Sequence, residues 1–169
     1  MSKSEISFNI NDLVVYPAHG VGQICDIETQ TIGGTSIDVY VINFERDKMT
    51  LRVPVKRVKN CGLRTLATKD EFDNIMTVLS GKAKNRRGMW SRKAQEFESK
   101  INSGDLSQIA EVVRDLFKNA GDPDRSYSER VIYENALNRI CSEYAAVFNT
   151  DIDKATQEIS TLLKEQEAA

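Results

Sequence analysis

A chain of 169 residues, 40% apolar and 28% charged, has the make-up of one or two folded domains and not of a disordered segment. Three widely spaced cysteines (Cys25, Cys61, Cys141) and the single His19 exclude a disulfide framework and a Cys/His zinc cluster. The net charge of −2 conceals an asymmetry, because residues 82–100 carry seven basic against two acidic side chains and residues 101–169 seven against thirteen.

Up to residue 66 the pattern is β. Leu13-Val-Val-Tyr16 is a short apolar run broken by Pro17-Ala-His-Gly20. From Gly20 to Ile32 the residues alternate, with Val21, Gln23, Cys25 and Ile27 on one side and Gly22, Ile24, Asp26 and Glu28 on the other. Gly33-Gly34 supplies the positive φ that a tight hairpin turn needs. Thr35–Phe44 is β-branched and aromatic-rich, and Met49–Val53 alternates again before Pro54 ends it. These strands predict a small antiparallel barrel or curled sheet over residues 1–66.

From residue 67 the period becomes helical. Thr68-Lys-Asp-Glu71 is a capping-box pattern opening a helix toward Gly81, with Phe72, Ile75, Met76 and Leu79 on one face. A second helix begins near Trp90 and ends at Ser103-Gly104; Asp105 caps a third, striped by Leu106, Ile109, Ala110, Val113, Leu116 and Phe117. Ala120-Gly121-Asp-Pro123 stops it, and Ser126 with Glu129 opens a long fourth helix with Tyr133, Leu137, Ile140, Tyr144, Val147 and Phe148 inward. The fifth turns Ile152, Ala155, Ile159 and Leu162 to the core. The expected fold is α+β in two domains: the barrel at 1–66, then an all-helical bundle of about five helices at 67–169. No apolar run approaches a membrane span and the start lacks a signal-peptide core, so a soluble, intracellular protein without a membrane partner is expected.

Few residues invite catalysis. No Walker-type loop, GxSxG or HExxH occurs. His19 beside Cys25 offers a base and a nucleophile, but His19 sits in a turn and no third group orients it. Cys61 and Cys141 lie in apolar contexts and read as small buried hydrophobes. The expectation is a non-enzyme with no metal and no cofactor. The segment from Gly81 to Lys93 (GKAKNRRGMWSRK) is different. Its Lys82, Lys84, Arg86 and Arg87 precede the only tryptophan, Trp90, with Arg92 and Lys93 directly after. Periodicity places Trp90 in register with Ala94, Phe97 and Ile101, as a core residue. The neighbouring cations point instead to phosphates, with the indole wedged between base steps or stacked on an unpaired base. An adaptor that stacks single-stranded RNA on Trp90, in a ribosome-associated setting, uses the same residues. In the sheet, Arg52 points outward between apolar neighbours, as a surface charge or as an anchor for a partner's carboxylate.

Asp12-Leu-Val-Val-Tyr-Pro-Ala-His-Gly-Val-Gly22, Thr50-Leu-Arg-Val-Pro54, Trp90-Ser-Arg92, and Ser103-Gly-Asp105 with Ile109-Ala-Glu-Val-Val-Arg-Asp-Leu116 together resemble the CarD/CdnL family of bacterial transcription regulators. The resemblance implies a Tudor-like N-terminal domain that docks on the lobe of the RNA polymerase β subunit. It also implies a helical C-terminal domain that meets promoter DNA in the minor groove at the upstream edge of the bubble and stabilises the open complex without reading sequence. It puts Trp90 at the wedge, with Arg92 and Lys93 at neighbouring basic positions, while the loop carrying Lys82, Lys84, Arg86 and Arg87 is expected from its own charge to supply phosphate contacts. On the polymerase side it points to Arg52, Ile32 and Gln30. Gln30 stands where some relatives carry an arginine; Ala94 and Gln95 stand where some carry an aromatic and a lysine. A monomer in the cytoplasm, held to the nucleoid through polymerase, is the implied setting.

Overall fold

The computed structural model describes residues 7–84, 88–117 and 126–168. It separates into two compact units, Met1–Leu66 and Ala67–Ala169.

In the first unit β1 (Leu13–Tyr16), β2 (Gly20–Ile32), β3 (Thr35–Phe44), β4 (Met49–Pro54) and β5 (Arg64–Thr65) form one antiparallel sheet in the order β4-β3-β2-β1-β5. The antiparallel sheet is as predicted; closure into a barrel is not. After Pro54 the chain turns through a 3-10 turn at Val55–Arg57 and the short helix α1 (Val58–Cys61), and then contributes only two residues to β5, paired with Val14 and Val15. So short a strand offers too little ladder to join β4, and the sheet stays open. Phe8, Val14, Ile24, Tyr40, Ile42, Phe44, Val53, Val58 and Leu63 fill its inner face. Phe8 meets Tyr40 edge to face at 5.6 Å, and its N–H donates to the Tyr40 hydroxyl at 3.1 Å.

The alternation predicted along β2 breaks at one residue. Ile24 pairs with Ile42 but Asp26 pairs with Val41, so Cys25 is an extra residue in a β-bulge. Beyond it the faces exchange. Ile27 falls on the side of Ile24, while Asp26, Glu28, Gln30 and Ile32 turn to the opposite face. The hairpin ends at Gly33 and Gly34, with φ of 60° and 81°. Both glycines lie in the left-handed region that a tight primed turn requires.

The second unit holds α2 (Lys69–Leu79), α3 (Trp90–Asn102), α4 (Leu106–Phe117), α5 (Tyr127–Val147) and α6 (Ile152–Ala168). The capping box at α2 is complete: Thr68 Oγ1 accepts from the Glu71 N–H at 3.1 Å and Glu71 Oε2 from the Thr68 N–H at 3.3 Å. The helix ends at Leu79, short of the predicted Gly81. Asp105 Oδ1 receives the Ser107 N–H at 3.0 Å, and Ser126 Oγ receives the Glu129 N–H at 3.1 Å. The stop predicted at Ala120–Pro123 lies outside the described residues.

Helix α4 packs against α2, α3 and α5, and buries Ile109, Ala110, Val112, Val113 and Leu116. Both remaining predicted faces pack on the core, with differences in which residues are fully buried. On α5 the buried set is Ile132, Tyr133, Ala136, Ile140, Cys141 and Glu143, with Leu137, Tyr144, Val147 and Phe148 only partly covered. On α6 the third core residue is Leu163, not Leu162, and Ile152 is 40% exposed. Glu143 is 2% exposed because its carboxylate accepts the Ala67 N–H at 2.8 Å, so a buried acid has a charge-assisted partner. Among the described residues no helix is long and apolar enough to cross a membrane.

Gly22 is fixed by packing. A Cβ there would lie 2.7 Å from Phe44 Cε1 and 2.8 Å from Ile42 Cγ2. Gly22→Ala is expected to destabilise the first unit by about 1–3 kcal/mol through overpacking. Denaturant unfolding checks this, and unchanged stability would contradict the close approach.

Candidate functional site

Two surfaces collect the residues that the sequence singles out. The first is the segment leading into α3. Gly81 closes the end of α2 with its N–H on the Val78 carbonyl at 3.0 Å. Lys82 and Lys84 follow, both exposed, and the Lys84 backbone N–H donates to Asp115 Oδ1 on α4 at 3.0 Å. Arg86 and Arg87 lie outside the described residues. Met89 is the residue that caps α3 and is 75% exposed. The first turn of α3 contains Trp90, Arg92 and Lys93, no acidic residue and no capping side chain. Arg92 is exposed and Lys93 half-buried. The positive end of the helix dipole and two cations therefore act together, an arrangement that favours an anion.

The Trp90 ring is half-buried. It packs on the core of the helical unit and sits 6.3 Å from the Phe97 ring at an interplanar angle of 43°. Phe97 and Ile101 are buried, whereas Trp90 and Ala94 are only partly covered. The apolar seam of α3 thus runs out of the core toward its N-terminus, and the indole occupies the end of that seam. Register with the core and partial exposure belong to the same residue. Helix α3 is further tied to α4 by Lys100 Nζ on Glu111 Oε2 at 2.7 Å. That hydrogen bond, with the charges of Lys100, Arg114 and Lys84, holds the Glu111 carboxyl below its ordinary value despite partial burial.

The second surface is the outer face of the sheet. Arg52 pairs in register with Val41, which pairs with Asp26, so Arg52 shares the face of Asp26, Glu28, Gln30 and Ile32 that the Cys25 bulge creates. Arg52 Nε donates to Glu28 Oε2 at 3.3 Å, Gln30 is half-buried opposite Ile37, and Ile32 is 62% exposed. The structure therefore brings Arg52, Gln30 and Ile32 onto one face. The distal parts of β2 and β3 pair only with each other, because β1 reaches only to Gln23 and β4 only to Val39.

The remaining candidates are not assembled into a site. His19 stacks on Tyr16 with centroids 5.5 Å apart and lies against Phe44, while its Nδ1 is 3.8 Å from Asp47 Oδ2. Cys25 directs its thiol to the Val41 carbonyl. Cys61 is half-buried, and Cys141 is buried, which pushes its thiol up. Sequence reasoning missed Met89, Glu28 and Asp115. The signal for Met89 was a methionine directly before the tryptophan, and for Asp115 an acid within the apolar arc of α4.

A sheet module followed by a helical module with an acid-free cationic helix tip defines a two-domain binding protein. Residues 8–67 match the family model described as CarD-like/TRCF RID domain, and residues 74–160, half of the chain, match the CarD C-terminal domain. The chain belongs to the CarD-like family of transcription factors. It is 28% identical over 140 residues to the YdeB protein of Bacillus subtilis (strain 168), a candidate transcription factor, covering 83% of this chain and 92% of that one. The solution NMR structure of the 72-residue N-terminal domain of Myxococcus xanthus CarD is 27% identical, with a TM-score of 0.31, over 38% of this chain and 89% of that domain.

The lowered Glu111 carboxyl has a pH consequence. Its pair with Lys100 contributes stability above the ordinary glutamate value of 4.5 and loses it as the pH falls through the lower folded value. Glu111→Gln should flatten the acid-side fall in stability by a few tenths to about 1 kcal/mol, the range of a partly exposed pair. Denaturant unfolding from pH 6 to pH 3, roughly spanning that window, checks it. Identical pH profiles for the two proteins would contradict the assignment.

Proposed function

We propose that this protein regulates transcription initiation by binding RNA polymerase through the outer face of its sheet and propping melted promoter DNA with Trp90. The half-buried indole at the cationic, acid-free tip of α3 carries this reading. Its contact with Phe97 holds the ring in place before DNA arrives, and its uncovered surface is the part available to bases. Lys82, Lys84, Arg92 and Lys93, with Arg86 and Arg87 in the same segment, supply the phosphate contacts. Contacts to phosphate carry no sequence information directly, so binding through these cations needs no base readout.

The RID match over residues 8–67 supports polymerase as the partner, and we assign contact with the lobe of its β subunit to Arg52, Gln30 and Ile32. Arg52 is already paired with Glu28, so a partner's carboxylate must compete for the guanidinium, and Ile32 adds exposed apolar area. Polymerase then carries the helical unit to the promoter, where effective concentration makes a modest intrinsic DNA affinity sufficient. At the upstream bubble edge the strands are partly unstacked, so inserting the indole into the minor groove there costs less than in intact duplex. The ring therefore binds the open complex more tightly than the closed one, and that difference moves the equilibrium. Both surfaces lie on one chain, so a monomer acting on the nucleoid in the cytoplasm suffices.

Trp90→Ala should keep polymerase binding and shorten the open-complex lifetime by roughly 5- to 150-fold, the range of one lost base–aromatic contact of about 1–3 kcal/mol. Filter binding with a competitor challenge measures it, and an unchanged lifetime would remove the wedge. Arg52→Glu places like charge beside Glu28 and should weaken capture of polymerase core while sparing binding to a premelted DNA fork. Equal capture by the two proteins would contradict the docking face.

A further inference from the structure

Arg114 and Asp115 belong to the α4 block Ile109–Leu116, which carries the family resemblance, yet the reading above gives them no role. Asp115 is 4% exposed on a helix otherwise buried through apolar side chains. Its Oδ1 accepts two hydrogen bonds, from Arg114 Nε at 2.9 Å and from the Lys84 backbone N–H at 3.0 Å. Among the described residues its Oδ2 is buried without a partner. The Arg114 side chain is itself largely covered and runs beside Gly81, where a Cβ would lie 3.7 Å from Arg114 Nη1.

A buried ion pair with one unsatisfied oxygen is a poor stabiliser, and well-packed apolar residues of similar volume do as well or better. An apolar side chain has no means of fixing a backbone amide, which is what this carboxylate does. The amide belongs to Lys84, within the cationic segment and six residues before Trp90. We propose that Asp115 is a positioning residue: held by Arg114, it clamps Lys84 to α4, the helix that also holds α3 through Lys100. Lys84 then meets phosphate from a backbone already held in place, and less freedom is lost on binding. This inference rests on the DNA-contacting reading of the segment.

Amide hydrogen exchange by NMR on the full chain tests the clamp directly. In the unaltered protein the Lys84 amide should exchange at least tenfold more slowly than an open-chain amide, the scale expected of one charge-assisted hydrogen bond. Asp115→Asn keeps the shape and removes the charge. Its amide oxygen still accepts but without charge assistance, so part of that protection should be lost and the open-complex lifetime should shorten about threefold or more toward that of Trp90→Ala, with polymerase capture unchanged. Ile159→Val, a core change on α6, serves as a control for general loosening and should move neither Lys84 exchange nor the lifetime. A Lys84 amide exchanging at the open-chain rate in the unaltered protein overturns the proposal without need of any variant. So does an unchanged lifetime in Asp115→Asn where Trp90→Ala shortens it. If Trp90→Ala itself has no effect, the DNA reading has failed, and Lys84 exchange alone then decides whether the clamp exists.

Discussion

One indole ring, packed at the edge of a protein core and only partly covered by it, is the constraint on which the proposed function turns. A wholly buried ring would be out of reach of a duplex. A wholly exposed one would lose its rotamer freedom on insertion and offset part of the gain. Phe97 beneath the ring and the end of the α3 seam give Trp90 an intermediate position, and the lysine–glutamate pair between α3 and α4 holds that helix against its neighbour. The buried side chains of α4 are thus linked to the proposed function through the rigidity they lend to one helix tip. In this account packing energy is converted into placement of a side chain.

The same principle of placement operates in the sheet by a different device. A single extra residue at Cys25 exchanges the faces of β2, so that Glu28, Gln30 and Ile32 leave the core side and join Arg52. Without the bulge, strict alternation would keep Glu28 on the side of Ile24, where an unpaired carboxylate has no place. The surface assigned to polymerase is therefore a product of backbone irregularity, as bulges near functional surfaces commonly are. In the proposed function, dividing anchoring from action between two units leaves each surface free to be weak alone, since tethering multiplies their effects.

Much of this was legible in the sequence, and the failures have identifiable physical causes. Strand and helix positions were readable from period, glycine pairs and capping residues, because those signals are local: the Thr68–Glu71 box and the Gly33-Gly34 turn stand where the residues place them. The bulge was not readable, since Cys25 carries no mark distinguishing an extra residue from a paired one. Closure of the sheet depended on how long β5 would be, a property of the whole unit and not of Arg64 and Thr65. On α5 and α6 the apolar stripes were broad enough to permit a rotation of one position, and tertiary packing selected Leu163 over Leu162. Asp115 and Glu143 escaped notice because a buried acid is recognised by its partners, and each accepts from a backbone amide supplied by a segment distant in the chain.

The central claim, that the indole enters melted DNA when polymerase brings it there, is open to direct observation because the chain has a single tryptophan. Replacing it biosynthetically with 5-fluorotryptophan gives one fluorine resonance to follow. The account predicts that this resonance holds its position on binding polymerase core and moves when the complex carries promoter DNA with a premelted bubble, with a smaller change on fully paired DNA. A resonance indifferent to the bubble would contradict it.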